Sequence, residues 1–585
     1  MGCKGSEVQI LSPRPVYLAG GRRPGGSALI LSRVSLQFSV GRYPRVVLTI
    51  VVALLGASGL ASIPPVDRDE PDFAQPARQM LESGDFVAIR FQDTPLHEKP
   101  VLTYWLQAGS AALFGGPERN RIAAYRLPSV LAIWIATLLT YELALVFFDA
   151  RIALSAGLLF ASSPLAQSQA HQARADALLV AAMLGAIVPL ARVYASRASP
   201  AASGSSLMNA LFWISLAAGI LIKGPVVPVL IVLAVVTMVL LERDWRCLLR
   251  LQPGWGIPLF LLLLLPWPVA LLRSTGASFF VEAWTTDIFP KLVSAQESHG
   301  APPLTLALLA PLTLWPATLL LPSAMEHAWR GRRDLPVRFL LASILPGWLL
   351  FELAVTKLPH YVLPFVPMLA VLAAASASPW VAPAPSRIAS RLGVVLFAVA
   401  GLAIAGGIVV ALVRLGTGLD IIAGISVAAL AAFVIVVAGK SWAQESGSRA
   451  GSAALCGILA SLMIFGIAMP RLERLWVADR AARAAASVAQ PGVPVLVVGY
   501  HEPSLVFLLG TRTRLVDAET AASALAAHQS AVAIVAGTSI SEFLRLARAR
   551  ALDLQSVARV DGIDPVHGHP LELEIWKIPP LKPAS

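Results

Sequence analysis

Thirteen long apolar runs follow one another between residues 46 and 470, and a chain built this way has few ways to fold. The hydrocarbon layer of a bilayer takes ~20 mostly apolar residues per helical crossing. Backbone groups inside it must bond within their own segment, so such runs fold as helices. The runs cover 46–66, 127–148, 152–170, 177–191, 207–222, 224–241, 254–272, 302–325, 339–356, 361–380, 392–413, 420–439 and 451–470. Only 14% of the 585 residues are charged and 56% are hydrophobic, with mean hydropathy +0.71. Soluble domains carry about 25% charged residues. The sequence therefore excludes an ordinary soluble enzyme and predicts an α-helical polytopic membrane protein of about thirteen crossings. Cys3, Cys247 and Cys456 lie far apart, which argues against a disulfide scaffold or a cysteine zinc site. The net charge of +12 fits basic loops retained on the cytoplasmic side better than nucleic-acid binding.

Basic residues in the short loops set the orientation. With the N-terminus inside, the inner loops after the tail hold fourteen: Arg151, Arg192, Arg197, Arg243, Arg246, Arg250, Arg330, Arg332, Arg333, Arg338, Arg387, Arg391, Lys440 and Arg449. The outer short loops hold six: Arg174, Lys223, Arg273, Lys291, Lys357 and Arg414. An odd number of crossings then puts the C-terminus outside. Glu142 and Glu352 fall within spans and are expected to face the bundle interior or a water-filled cavity.

Residues 1–43, rich in Gly, Arg, Pro and Ser, read as a disordered tail or an over-long start, with the first apolar run an uncleaved span. Residues 44–470 read as the membrane domain, with a long first outer loop at 67–126. After Pro470 the pattern changes. Residues 493–499 and 531–536 are β-branched runs, 519–528 and 538–550 read as helices, and 571–578 alternates as a strand. This predicts a small outer α/β domain over 471–585, without a GxGxxG or phosphate-loop motif.

Ionisable residues gather at the outer face. The first loop holds Asp67, Asp69, Glu70 and Asp72, then His97, Glu98 and Lys99. Asp176 closes HQARAD; Lys223-Gly224-Pro225 forms a bend; 273–303 carries Glu282, Asp287, Lys291 and ESHGAPP; Lys357-Leu358-Pro359-His360-Tyr361 ends the set. Each has an ordinary explanation: a solvated acidic loop, or a lysine snorkelling to the interface. Their convergence from five segments points to chemistry. Lysines at that depth suit the phosphate of a lipid-linked donor, and an aspartate beside it can take a proton from an acceptor hydroxyl.

These motifs resemble the membrane-embedded C-type (GT-C) glycosyltransferases, closest to the lipid-A aminoarabinose transferases and bacterial relatives of protein O-mannosyltransferases. The resemblance rests on Asp69-Glu70 with Phe73-Ala74 and Arg78; Glu98-Lys99-Pro100 with Tyr104-Trp105; Arg174-Ala175-Asp176; Lys223-Gly224-Pro225; 282–303; and Lys357 to Tyr361. It covers roughly residues 45–380. It implies a polyprenyl-phosphate sugar donor, an envelope acceptor such as lipid A or a protein, and inverting transfer at the periplasmic face of a bacterial inner membrane, with no nucleic acid involved. Asp69 would activate the acceptor, with Glu98 and Asp176 in the same polar site. Lys99, Lys223, Lys357 and Tyr361 would contact the donor phosphate. Glu70, Arg78, His299 and His360 would line the cavity. No organic cofactor is implied, and a divalent metal is left open. One position departs: family members often carry a basic residue three after the first aspartate, where this chain has Asp72. The sugar and acceptor therefore stay open. The rival class is a transporter or flippase for a lipid-linked sugar, which should show paired repeats or broken helices at the midplane. A third reading is a lipid-binding assembly protein.

Overall fold

A computed structural model describes residues 43–579 apart from 97–98, 198–204, 277–280, 282–284, 286–300, 417, 444–448, 491 and 528–530. The N-terminal tail, Glu98, Lys291 and His299 lie outside the described residues.

Among the described residues, nine helices are long and apolar enough to cross a membrane. Three of the remaining expected crossings are shorter helices, Pro44–Ala57, Ala150–Ala161 and Val226–Glu242. The expected 302–325 crossing is instead broken into Thr305–Thr313, the 3-10 turn Ala317–Leu319 and Leu321–Arg330. The run at 152–170 is also interrupted. Asp149 caps Ala150–Ala161, and extended Ser163 hands over to Pro164, which opens a new helix, Pro164–Ala170. Proline cannot supply the amide that would continue the first helix.

Asp176–Ala195 is the central helix, with 83% of its apolar window buried, whereas Pro253–Thr275, at 17%, is peripheral. Small residues let neighbours approach the central helix closely. A Cβ on Gly185 would lie 2.2 Å from Ser215 Oγ, so glycine is what allows Ser206–Lys223 to pack there. Glu142 pairs with Arg45 at 2.7 Å and Arg192 at 3.4 Å. Glu352 accepts the backbone N–H groups of Leu306 and Ala307 and the indole N–H of Trp348. Both carboxylates inside spans thus have protein partners.

The first loop forms a short hairpin, β1 (Arg90–Phe91) and β2 (Thr94–Pro95), between helices Asp69–Ser83 and Leu102–Phe114. The C-terminal region builds one five-stranded sheet from β3 (Leu496–Val498), β4 (Arg514–Val516), β5 (Val532–Ala536), β6 (Gln555–Ile563) and β7 (Pro570–Lys577). Its order is β4-β3-β5-β7-β6, with β3 parallel to β4 and β5 and the last two strands antiparallel. Alternate side chains enter two cores. Val497 and Ile534 pack with Val477–Ala486 and Pro503–Leu509, while Leu496, Val498 and Val535 pack with Ala518–Ala526 and Gly537–Ala549. Burial on both faces explains why these strands read as continuous apolar runs.

Candidate active site

Helix ends bring the charged residues together. Asp69 is the first residue of Asp69–Ser83, and Asp176 is the first of the central helix. A carboxylate there is favoured by the helix dipole. Lys223 is the last residue of Ser206–Lys223, where Gly224 turns the chain at φ +64° before Pro225. Only glycine adopts that conformation readily. His360 and Tyr361 lie on the 3-10 turn Pro359–Phe365.

Asp176 is the hub. Its Oδ1 accepts from Lys223 Nζ at 2.6 Å and lies 4.0 Å from His360 Nε2. Its Oδ2 lies 3.8 Å from Arg174 Nε, and the same guanidinium reaches Asp69 Oδ2 at 3.0 Å. Lys223 Nζ lies 6.0 Å from the centre of the Tyr361 ring, which packs edge-on against His360. The depth is graded: the Asp176 side chain is 8% exposed and that of Asp69 62%. An exposed carboxylate therefore stands over a buried, charge-rich floor. Among the described residues the buried Nε–H of Arg174 makes no hydrogen bond, its nearest carboxylate being Asp176 at 3.8 Å, and buried donors normally make one.

Four expected site residues, Asp69, Asp176, Lys223 and His360, share this cluster, with Tyr361 at its edge. Three others lie differently. Glu70, expected in the cavity, is fully buried in a two-pronged pair with Arg126, both contacts at 2.7 Å. It also accepts from the amides of Val66 and Ala173. All four of these contacts are with protein groups, which ties Glu70 into the fold. Arg78 donates to the carbonyl of Phe507 and pairs with Glu82, both at 2.8 Å. It fastens the first-loop helix to the C-terminal sheet region. Lys357, expected on the phosphate, is 7% exposed and donates to the carbonyls of Ala301 and Ala354 at 2.8 and 2.6 Å. Its ammonium closes the end of helix Leu335–Leu353. Lys99 is half-buried just before Leu102–Phe114. Among the described residues no three His, Cys, Asp or Glu side chains group as metal ligands.

Arg174 stands in a sequence motif that assigns it no role, and Arg126 stands in none. A lone arginine at the head of an apolar run was the available signal, since such a charge requires a partner.

This is a multi-pass membrane protein with a charged cluster at one end of its bundle. The model of the dolichyl-phosphate-mannose-protein mannosyltransferase family matches residues 48–286. The chain is similar to the undecaprenyl phosphate-alpha-4-amino-4-deoxy-L-arabinose arabinosyl transferase of Pseudomonas aeruginosa, at 32% identity over 54% of this chain and 58% of that protein. It is 30% identical to the Serratia proteamaculans transferase of the same name, over 60% of this chain and 61% of that one. The chain thus spans somewhat under two thirds of these relatives. The crystal structure of ArnT from Cupriavidus metallidurans bound to undecaprenyl phosphate superposes with TM-score 0.69 at 19% identity, covering 92% of this chain and 99% of that one. The fold is the GT-C fold of that transferase.

Proposed function

We propose that the protein is a glycosyltransferase that moves a monosaccharide from a polyprenyl-phosphate donor to a cell-envelope acceptor such as lipid A, at the periplasmic face of the inner membrane. The observation that carries this is the approach of Asp69 to the Arg174–Asp176–Lys223–His360 cluster at the bundle end. The acceptor hydroxyl attacks C1 of the sugar. The C1–O bond to phosphate breaks, and polyprenyl phosphate leaves with the electron pair. The hydroxyl proton passes to Asp69. Lys223 and the Arg174 guanidinium suit the leaving phosphate, and the Tyr361 ring lies beside Lys223. A single displacement without a sugar–enzyme intermediate inverts the anomeric configuration, as in inverting glycosidases. Incubating purified protein with undecaprenyl-phosphate aminoarabinose and lipid A tests this. The expected product is lipid A heavier by one sugar, with inverted configuration. Retention would require a nucleophile and a two-step route.

Lys223→Ala should weaken donor binding by about 10–150-fold, the value of about 1.5–3 kcal/mol for a hydrogen bond to a charged group. Donor titration against normal amounts of the variant reads this, and unchanged affinity would reduce Lys223 to a partner of Asp176. For the orientation, single cysteines at Thr94 and Arg332, both exposed, are placed in a background lacking the native cysteines. In spheroplasts an impermeant thiol reagent should label only the first. Labelling of the second alone would invert the topology.

A further inference from the structure

The parallel part of the C-terminal sheet carries a switch point. From β3 the chain runs through helix Pro503–Leu509 to β4 on one side, then returns through helix Ala518–Ala526 to β5 on the other side of β3. In open α/β sheets, ligands bind in the crevice outside the carboxyl ends of the strands at such a point. Here the loop leaving β3 is filled by a side chain from the first membrane loop. Asp67 accepts the backbone N–H of Ser504 at 3.1 Å, the Ser504 hydroxyl, and the Tyr500 hydroxyl at 3.3 Å. Tyr500, Glu502 and Ser504 are all buried. Beside them, Arg68 lies 3.5 Å from Glu502. A Cβ on Gly499, at φ +76°, would come within 2.5 Å of Ser539 Oγ, so the loop needs glycine to close over the crevice.

The location is informative. Asp67 precedes Asp69 by two residues, and Glu70 follows it by one. Glu70 is tied into the membrane bundle through Arg126, and Asp67 is tied into the C-terminal sheet. Asp69 stands between two anchors that belong to different parts of the fold. Further along the same loop, Gln75 bonds Thr511, Arg78 bonds the Phe507 carbonyl, and Gln92 bonds the carbonyls of Thr511 and Thr513.

Building on the transferase reading, we infer that Asp67 is a positioning residue. By seating in the crevice of the C-terminal sheet it fixes the start of helix Asp69–Ser83, and so holds the Asp69 carboxylate over the cluster. The C-terminal region then acts as a clamp on the acidic loop.

Burial raises the Asp67 carboxyl to about 7, with the nearby Glu502 adding to the rise and the hydrogen bonds from Ser504 and Tyr500 opposing it. The charged groups around it are Glu502 and Arg68, with Asp564 near Tyr500. An acid raised on docking takes up a proton as it docks. Docking is therefore strongest at low pH. It weakens about tenfold per pH unit from the ordinary carboxylate range up to about 7, and levels off above.

The test compares transfer by wild-type protein with Asp67→Ala, Asp67→Asn and Ser504→Ala. A 1 Å misplacement of a reacting group can cost about 10²-fold. Asp67→Ala and, in the same direction, Ser504→Ala should lower kcat by about that factor at unchanged donor KM. Asp67→Asn keeps an acceptor for Ser504 N–H and adds a donor, as the protonated acid does. It should restore kcat to near wild type. The wild-type to Asp67→Asn ratio of kcat should fall as pH rises from 5 and level off above about 7. Wild-type kcat in Asp67→Ala and Ser504→Ala overturns the inference, as does an Asn variant no better than Ala, or a donor KM that rises in parallel with the loss of kcat. A wild-type protein that transfers no sugar would instead remove the transferase reading and this role with it.

Discussion

Asp69→Asn should lower turnover by about 10²–10⁴-fold, the usual contribution of a positioned general base, while expression and donor binding should stay near wild type. Asp69 is the exposed member of the cluster, with its side chain 62% accessible and one oxygen held by Arg174 at 3.0 Å. Asparagine retains the shape and loses the proton acceptor. Asp69 is largely exposed, so folded yield should change little. Steady-state rates at saturating donor measure the effect. A fully active variant would move the base elsewhere, with Glu98 and Asp176 as the remaining carboxylates of the expected set. An acceptor that reacts through a phosphate oxygen needs no base, so a rate retained only with such acceptors would identify that chemistry.

Glu70→Gln should have the second large effect, and of a different kind. Glu70 and Arg126 are both fully buried, and Arg126 also donates to the carbonyls of Leu60, Ile63 and Pro64. Removing one partner leaves a buried guanidinium without its counter-charge, which costs about 3–5 kcal/mol. The expected result is loss of folded protein, read as monodisperse yield after extraction and as resistance to heating in detergent. Arg126→Ala should behave alike. Replacing both residues by apolar side chains of similar volume should recover part of the loss, because it removes the unpaired charge. A Glu70→Gln protein with normal stability and reduced donor binding would return Glu70 to the substrate cavity. Adjacent residues Asp69 and Glu70 thus separate two failures, one of rate and one of folding.

Much of the architecture was legible because membrane crossings are written as length and apolarity, which depend on no distant partner. Breaks were harder to see. The interruption at Ser162–Pro164 uses residues that also occur within continuous helices of this chain, such as Pro189 in the central one. In the C-terminal sheet, β3, β5 and β7 are interior and show in the sequence as apolar or alternating runs. β4 and β6 are the edges, and their sequences, RLV after Thr-Arg-Thr and QSVARVDGI, carry the charge that edge strands use to avoid pairing with other chains. They were missed for that reason. In the site, Asp69, Asp176, Lys223 and His360 could be grouped because each lies at or just beyond the end of an apolar segment or loop motif. Whether a carboxylate or ammonium at such an end faces a cavity or the protein depends on remote partners. Arg126 lies 56 residues from Glu70, and Ser504 lies 437 from Asp67. The Lys357 ammonium is taken up by backbone carbonyls, which no side-chain pattern announces.

Cleavage of the donor separates a transferase from a carrier. Purified protein is reconstituted in vesicles containing lipid A and undecaprenyl-phosphate aminoarabinose labelled once on the sugar and once on the phosphate. The labels should part, with the sugar on lipid A and the phosphate on the free polyprenyl lipid, and Asp69→Asn should abolish most of that separation. Labels that stay together while the intact donor moves from one leaflet to the other would contradict it.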